Sequence, residues 1–168
     1  MSLLRLALLG LIAYAAAVAE TSLAGALEIC HVAPSLIALA ALTWQLVAPG
    51  PYAFLGAGAI ALAGDLCAPG RVGAGAAAML LVAYGVSRLR VEHYGLQVAV
   101  LFAGTTAWAV ATGLLRLSVG DSAVGGTLLL REPVLVGAYT AALALPILMV
   151  VTWVREPLLR RARQMEGG

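Results

Sequence analysis

Long apolar runs, broken by short polar or glycine–proline interruptions, set the pattern of this chain. Residues 3–19 form the first run, with Arg5 near its start. A short polar connection, residues 20–31, carries Glu20 and Glu28. Pro34 opens the second run, which reaches Val47 with Trp44 near its end. Proline suits the first helical position because its missing N–H would be unpaired there in any case. Pro49-Gly50-Pro51 turns the chain into a third run ending at Cys67, and Ala68-Pro69-Gly70 turns it again into a fourth, residues 72–87. Arg88, Arg90, Glu92 and His93 interrupt the pattern before a fifth run over residues 95–115. Residues 116–132, with Gly120, Asp121, Gly125 and Gly126, make the longest polar loop. Residues 133–154 are the sixth run, and Arg155, Arg160, Arg161 and Arg163 form a basic tail.

This pattern predicts an all-α fold, a bundle of six transmembrane helices in one polytopic membrane domain over residues 1–168. Runs two to four fall short of the roughly 20 residues of an ordinary transmembrane helix. They cross with little tilt or extend into their turns. The first run also has the look of a signal peptide, with Ala17-Val18-Ala19 before Glu20 as a cleavage site. A polytopic chain needs no cleaved signal, and a retained helix is the reading adopted.

Composition agrees with a membrane protein. The chain is 62% hydrophobic and 11% charged, with a mean hydropathy of +1.00, whereas soluble domains carry about 25% charged residues. Every basic residue is arginine, the net charge is only +2 and no basic stripe forms, so no nucleic-acid partner is expected. Six runs put both termini on one side of the membrane. With both ends cytoplasmic, seven arginines (5, 88, 90, 155, 160, 161 and 163) lie inside and three (71, 116 and 131) outside, as the positive-inside rule requires. Trp44, Tyr52, Tyr84, Tyr94 and Trp153 then fall near inner helix ends, where amphipathic rings favour the interface.

No catalytic pattern is present. The chain has no Gly-x-Ser-x-Gly elbow, P-loop, His-Glu-x-x-His or Cys-x-x-Cys. His31 and His93 fall on opposite faces in this topology and cannot share a metal. Glu20, Glu28, Asp65, Asp121 and Glu132 all lie toward the outer face, as a cation-binding rim or simply as the acids that solvate loops. Cys30 and Cys67 are too few for a metal site or a disulfide framework. If their segments are helical, both stand roughly 25–30 Å above the inner turn. There they pair as a disulfide near an oxidising surface or remain small buried hydrophobes.

The most informative stretch is residues 51–75, PYAFLGAGAIALAGDLCAPGRVGAG. Gly56, Gly58, Ala61 and Gly64 offer faces on which a neighbouring helix can come close. Asp65 is the one acid inside a long apolar run, a costly placement that calls for a partner or a task. It stands at the C-terminal end of the third helix, where the macrodipole disfavours an anion. Arg71, just before the fourth helix, is equally ill-placed as a cation. The short turn brings the two together, and the first amides of the fourth helix can bind the carboxylate as well. A braced outer corner is the expected product, structural first and partner-binding second.

Several of these residues carry a family resemblance. Pro34 is followed by an apolar span ending near Trp44, then by a glycine-rich span with Gly58 and Gly64 that reaches Asp65. Gly73 follows eight residues later, a fourth span ends in Ala83-Tyr84-Gly85, and Pro146 lies in the last span. In this pattern the chain resembles the rod shape-determining protein MreD family, small six-span proteins of the bacterial cytoplasmic membrane. The resemblance implies a non-enzymatic scaffold without cofactor or metal that organises side-wall peptidoglycan synthesis. The partners it implies are MreC, MreB, a peptidoglycan glycosyltransferase with its class B transpeptidase, and membrane lipids. Pro34, Trp44, Gly58, Gly64, Asp65, Arg71, Gly73 and Pro146 are then the candidate structural and partner-binding positions. The architecture is also similar to the substrate-binding membrane subunits of energy-coupling vitamin transporters. Such a subunit needs an outer pocket with specific polar and aromatic residues. Spans of almost nothing but Ala, Leu, Gly and Val favour helix association instead.

Overall fold

A computed structural model of the chain describes residues 3–23, 25–28, 32–48, 53–67, 73–89, 93–118 and 128–166. These form six helices and no strand: α1 (Leu3–Leu23), α2 (Leu36–Val47), α3 (Ala53–Cys67), α4 (Ala74–Ser87), α5 (Tyr94–Ser118) and α6 (Leu128–Glu166). One helix arises from each apolar run. Three stretches, Leu6–Leu23, Tyr94–Ser118 and Glu132–Val150, are long and apolar enough to cross a membrane, the mark of a membrane protein. Helices α2, α3 and α4, of 12, 15 and 14 residues, are shorter.

The shortest helix is the hub. Helix α2 packs on each of the other helices, and its Ala38, Ala41 and Leu42 are completely buried. Leu42, Ile60, Met79, Leu101 and Leu148, one each from α2 to α6, meet in the middle as fully buried side chains. In lipid this layer gains little from leaving its surroundings, since acyl chains are as apolar as leucine. Close packing has to supply the attraction, and small residues allow it. A Cβ on Gly104 would stand 3.0 Å from Leu42 Cδ1. The outward faces are themselves apolar, as with Leu11 at 64% and Met149 at 69% exposure, which suits helices facing acyl chains.

Helix ends depart from the sequence reading in several places. Helix α1 runs through Glu20 to Leu23 instead of stopping at Ala19. The Thr21 hydroxyl donates to the carbonyls of Ala17 and Val18, both at 3.1 Å, and so satisfies part of the last turn. Ser87 and Ser118 close α4 and α5 in the same way, donating to Tyr84 and Leu115 carbonyls at 2.6 and 2.8 Å. Arg116 therefore belongs to the last turn of α5 and does not begin a loop. Pro34 is not the first helical residue: Ser35 is the N-cap, and its Oγ accepts from the Ala38 amide at 3.2 Å. Helix α6 starts at Leu128, so Glu132 and Pro133 lie inside it. It also continues through the basic tail to Glu166, a stretch rich in the good helix formers Leu, Arg, Gln and Glu.

Candidate functional site

Two helix starts at one end of the bundle are closed by acids from the preceding helices. The backbone amides of Leu36 and Ile37 donate to Glu20 Oε2 at 2.5 and 3.2 Å. The amides of Gly73 and Ala76 donate to Asp65 Oδ2, both at 3.0 Å. Each acid sits near the C-terminal end of its own helix, where the dipole opposes it, and on the N-terminus of the next, where the dipole favours it. Exchange of one end for the other explains why both acids tolerate an apolar chain.

At α2 the accounting is complete. The Ser35 amide donates to Thr140 Oγ1 at 3.0 Å, and the Leu36 and Ile37 amides go to Glu20. The Ala38 amide goes to Ser35 Oγ, and Leu39 begins the intrahelical ladder on the Ser35 carbonyl at 3.0 Å. A helix start held inside a bundle needs all of these partners, because unpaired buried amides are costly. Helix α6 supplies a further tie where the Tyr139 hydroxyl donates to the Leu27 carbonyl at 2.6 Å. Thr140, completely buried, had no sequence signal beyond being a polar residue in an apolar run.

At α4, Gly73 caps the helix with φ +104, a left-handed conformation that glycine adopts without strain. The glycine two residues on has a different reason. A Cβ on Gly75 would meet Asp65 Oδ1 at 2.4 Å, so only a residue without one leaves room for the carboxylate. Trp108 of α5 completes the corner by donating its indole N–H to the Gly75 carbonyl at 2.9 Å. Arg71, the expected partner of Asp65, lies outside the described residues, as do Cys30 and His31. Cys67 is an exposed free thiol.

The glycine faces of α3 are used on two sides. A Cβ on Gly56 would strike the Trp44 indole at 2.2 Å, and one on Gly64 would strike Ile37 Cδ1 at 2.0 Å, both on α2. A Cβ on Gly58 would strike Leu80 of α4 at 2.4 Å. Trp44 is thus partly buried against α3 rather than simply placed at an interface. Tyr84 packs edge-on to Phe54 at 5.8 Å between ring centres and lies under the Arg88 guanidinium at 4.9 Å. Pro146 is exposed within α6, next to Leu145, whose carbonyl accepts from the Tyr94 hydroxyl at 2.7 Å.

A cavity of about 490 Å³ opens beside the two acid-capped helix starts. Helices α1 and α5 do not pack against each other, and the cavity fills the gap between them. Ala17, Glu20 and Thr21 form one wall, and Trp108, Ala109, Thr112, Gly113 and Arg116 the other. Ile37, Ala61, Gly64, Asp65 and Cys67 complete the lining. Among the described residues, Arg116 Nε and Thr112 Oγ1 are buried without a hydrogen-bond partner. The capping role of Glu20 and the buried place of Arg116 escape a reading of the sequence because both stand at the edges of apolar runs. The clue available for Glu20 was Ser35, a good cap before an apolar run, whose exposed amides call for an acceptor. Among the described residues, no three His, Cys, Asp or Glu side chains gather as metal ligands. No protein-family model, curated protein or solved structure matches the chain.

Proposed function

We propose that this chain is a six-span scaffold of the MreD type, lying in the bacterial cytoplasmic membrane with both termini inside. It organises side-wall peptidoglycan synthesis through contacts with MreC, MreB, and a glycosyltransferase and class B transpeptidase pair, and it performs no catalysis itself. The observation that carries this reading is where most of the residues behind the resemblance sit. Trp44 lies on Gly56, Gly58 on Leu80, Gly64 on Ile37, and Asp65 holds the Gly73 amide. These are positions that fix how helices meet, which is the work of a scaffold. Six crossings require α2, α3 and α4 to traverse with their flanking turns. At 1.5 Å per residue the helices alone cover about 18–22 Å of a hydrocarbon core of about 30 Å. Local thinning of the bilayer accommodates part of such a mismatch, at a fraction of a kcal/mol for each ångström.

The cavity favours a second reading, a substrate-binding membrane subunit of an energy-coupling vitamin transporter, since a pocket with an aromatic ring and three charges suits a small solute. Purification from mild detergent separates the two. Wall-synthesis enzymes in the eluate support the scaffold, and an ATPase pair supports transport. Depletion in a rod-shaped host gives rounded, widened cells on the first reading. Normal shape with a new vitamin requirement overturns it.

A further inference from the structure

The cavity between α1 and α5 holds charges of both signs that do not satisfy one another. Glu20 and Arg116 stand on the α1 and α5 walls, and Asp65 of α3 completes the lining. No ion pair or hydrogen bond joins Arg116 to either carboxylate among the described residues, and its Nε is buried without a partner. Thr112 Oγ1, one helical turn before Arg116 on the same face of α5, is likewise unpartnered. Glu20 and Asp65 each commit one oxygen to helix amides, Oε2 and Oδ2 respectively. The Glu20 carboxylate also lies against the Ser35 hydroxyl. Buried polar groups such as Arg116 Nε and Thr112 Oγ1 are normally paired, and in a low-dielectric setting an unpaired one is especially costly.

The sign pattern restricts the occupant. A simple anion on Arg116 would bring a third negative group to a cavity that already has two. A simple cation on the carboxylates would face the guanidinium. An occupant with both signs avoids either penalty, its anionic oxygens on Arg116 and Thr112 and its ammonium on the carboxylates of Glu20 and Asp65. We propose that this cavity is a binding site for a zwitterion that carries a primary ammonium and a phosphate or carboxylate in one small headgroup. Much of the remaining lining, Ala17, Ile37, Ala61, Trp108 and Ala109, is apolar, so it admits the first carbons of an attached chain. An aminophospholipid headgroup and a free aminoalkyl phosphate share this chemistry. The inference does not rest on the scaffold reading and stands whichever partners the protein has.

The test uses the full-length protein in detergent, with native mass spectrometry and thermal unfolding as readouts. Three probes are added separately: phosphatidylethanolamine, phosphatidylglycerol and free O-phosphoethanolamine. The expected result is retention of phosphatidylethanolamine at least about tenfold tighter than phosphatidylglycerol, the scale of one charge-assisted hydrogen bond. Arg116→Gln should weaken retention of both lipids, which share the phosphate, whereas Glu20→Gln combined with Asp65→Asn should abolish the preference while tryptophan fluorescence and helicity stay unchanged. Binding of O-phosphoethanolamine as tight as that of the lipid assigns the site to a free solute, and binding of the lipid alone assigns it to the bilayer. Equal retention of both lipids together with no binding of O-phosphoethanolamine overturns the proposal, and that comparison needs no variant. A preference that persists in a folded protein carrying both Glu20→Gln and Asp65→Asn overturns it as well.

Discussion

A methyl group on Gly75 would stand 2.4 Å from Oδ1 of Asp65. The carboxylate cannot move aside freely, because its other oxygen holds the amides of Gly73 and Ala76. Gly75→Ala should therefore loosen the α3–α4 corner and lose part of those bonds, at about 1–3 kcal/mol. Gly85 lies on the same helix with nothing within 4 Å of its would-be Cβ. Gly85→Ala should be neutral or stabilising by up to about 1 kcal/mol, as alanine is the better helix former. Thermal unfolding in detergent measures both. Equal stability of the two variants would remove the case for steric control of Asp65.

Asp65 and Glu20 should respond alike to substitution, because each caps a helix start through one oxygen. Asp65→Asn and Glu20→Gln keep an acceptor in place and should be mild. Asp65→Leu and Glu20→Leu each leave two amides unpaired, at about 1–3 kcal/mol for each amide, and should sharply lower membrane abundance. If Arg71 also braces Asp65, adding Arg71→Leu to Asp65→Leu should recover part of the lost protein. A double variant no more abundant than Asp65→Leu leaves the capping amides as the whole account. Loss of function in Asp65→Asn at normal abundance would instead assign the carboxylate to a partner or ligand.

The six helices could be read from the sequence because each is an apolar run, and the contact role of Gly56, Gly58 and Gly64 followed from their small size in such a run. What escaped was mainly the helix ends. Glu20 and Arg116 are charges at the edge of apolar runs, which ordinarily mark loops, yet α1 and α5 run on through them. The acceptor role of Glu20 spans 16 positions to Leu36, and no local pattern encodes such a distance. Position near a helix end puts Trp44 at an interface on hydropathy alone. Its packing against Gly56 depends on how α2 crosses α3, which hydropathy does not specify.

The orientation proposed from the arginines has a direct test. A reporter active only outside the cytoplasm should work when inserted within residues 119–127 and fail when fused after Gly168. The basic residues beyond Val154 supply much of the bias that holds the C-terminus inside. The reverse pattern would invert the model, and activity at both sites would require α6 not to cross.

Two threonines offer a contrast with opposite signs. Thr140 and Thr105 are both completely buried. Thr140 Oγ1 accepts the Ser35 amide at 3.0 Å, whereas Thr105 Oγ1 has no partner among the described residues. Valine is close to threonine in shape, so Thr→Val removes the hydroxyl with little change in packing. Thr140→Val should cost about 1–3 kcal/mol, because it strands a buried amide at the start of the central helix. Thr105→Val should be neutral or stabilising, because it removes a buried hydroxyl that nothing satisfies. Tyr139→Phe, which frees only the less buried Leu27 carbonyl, should fall between them at about 0.5–1.5 kcal/mol. Thermal unfolding of the three single variants in one detergent gives the order. A destabilised Thr105→Val beside an unaffected Thr140→Val would mean that the α2 start is not held from α6.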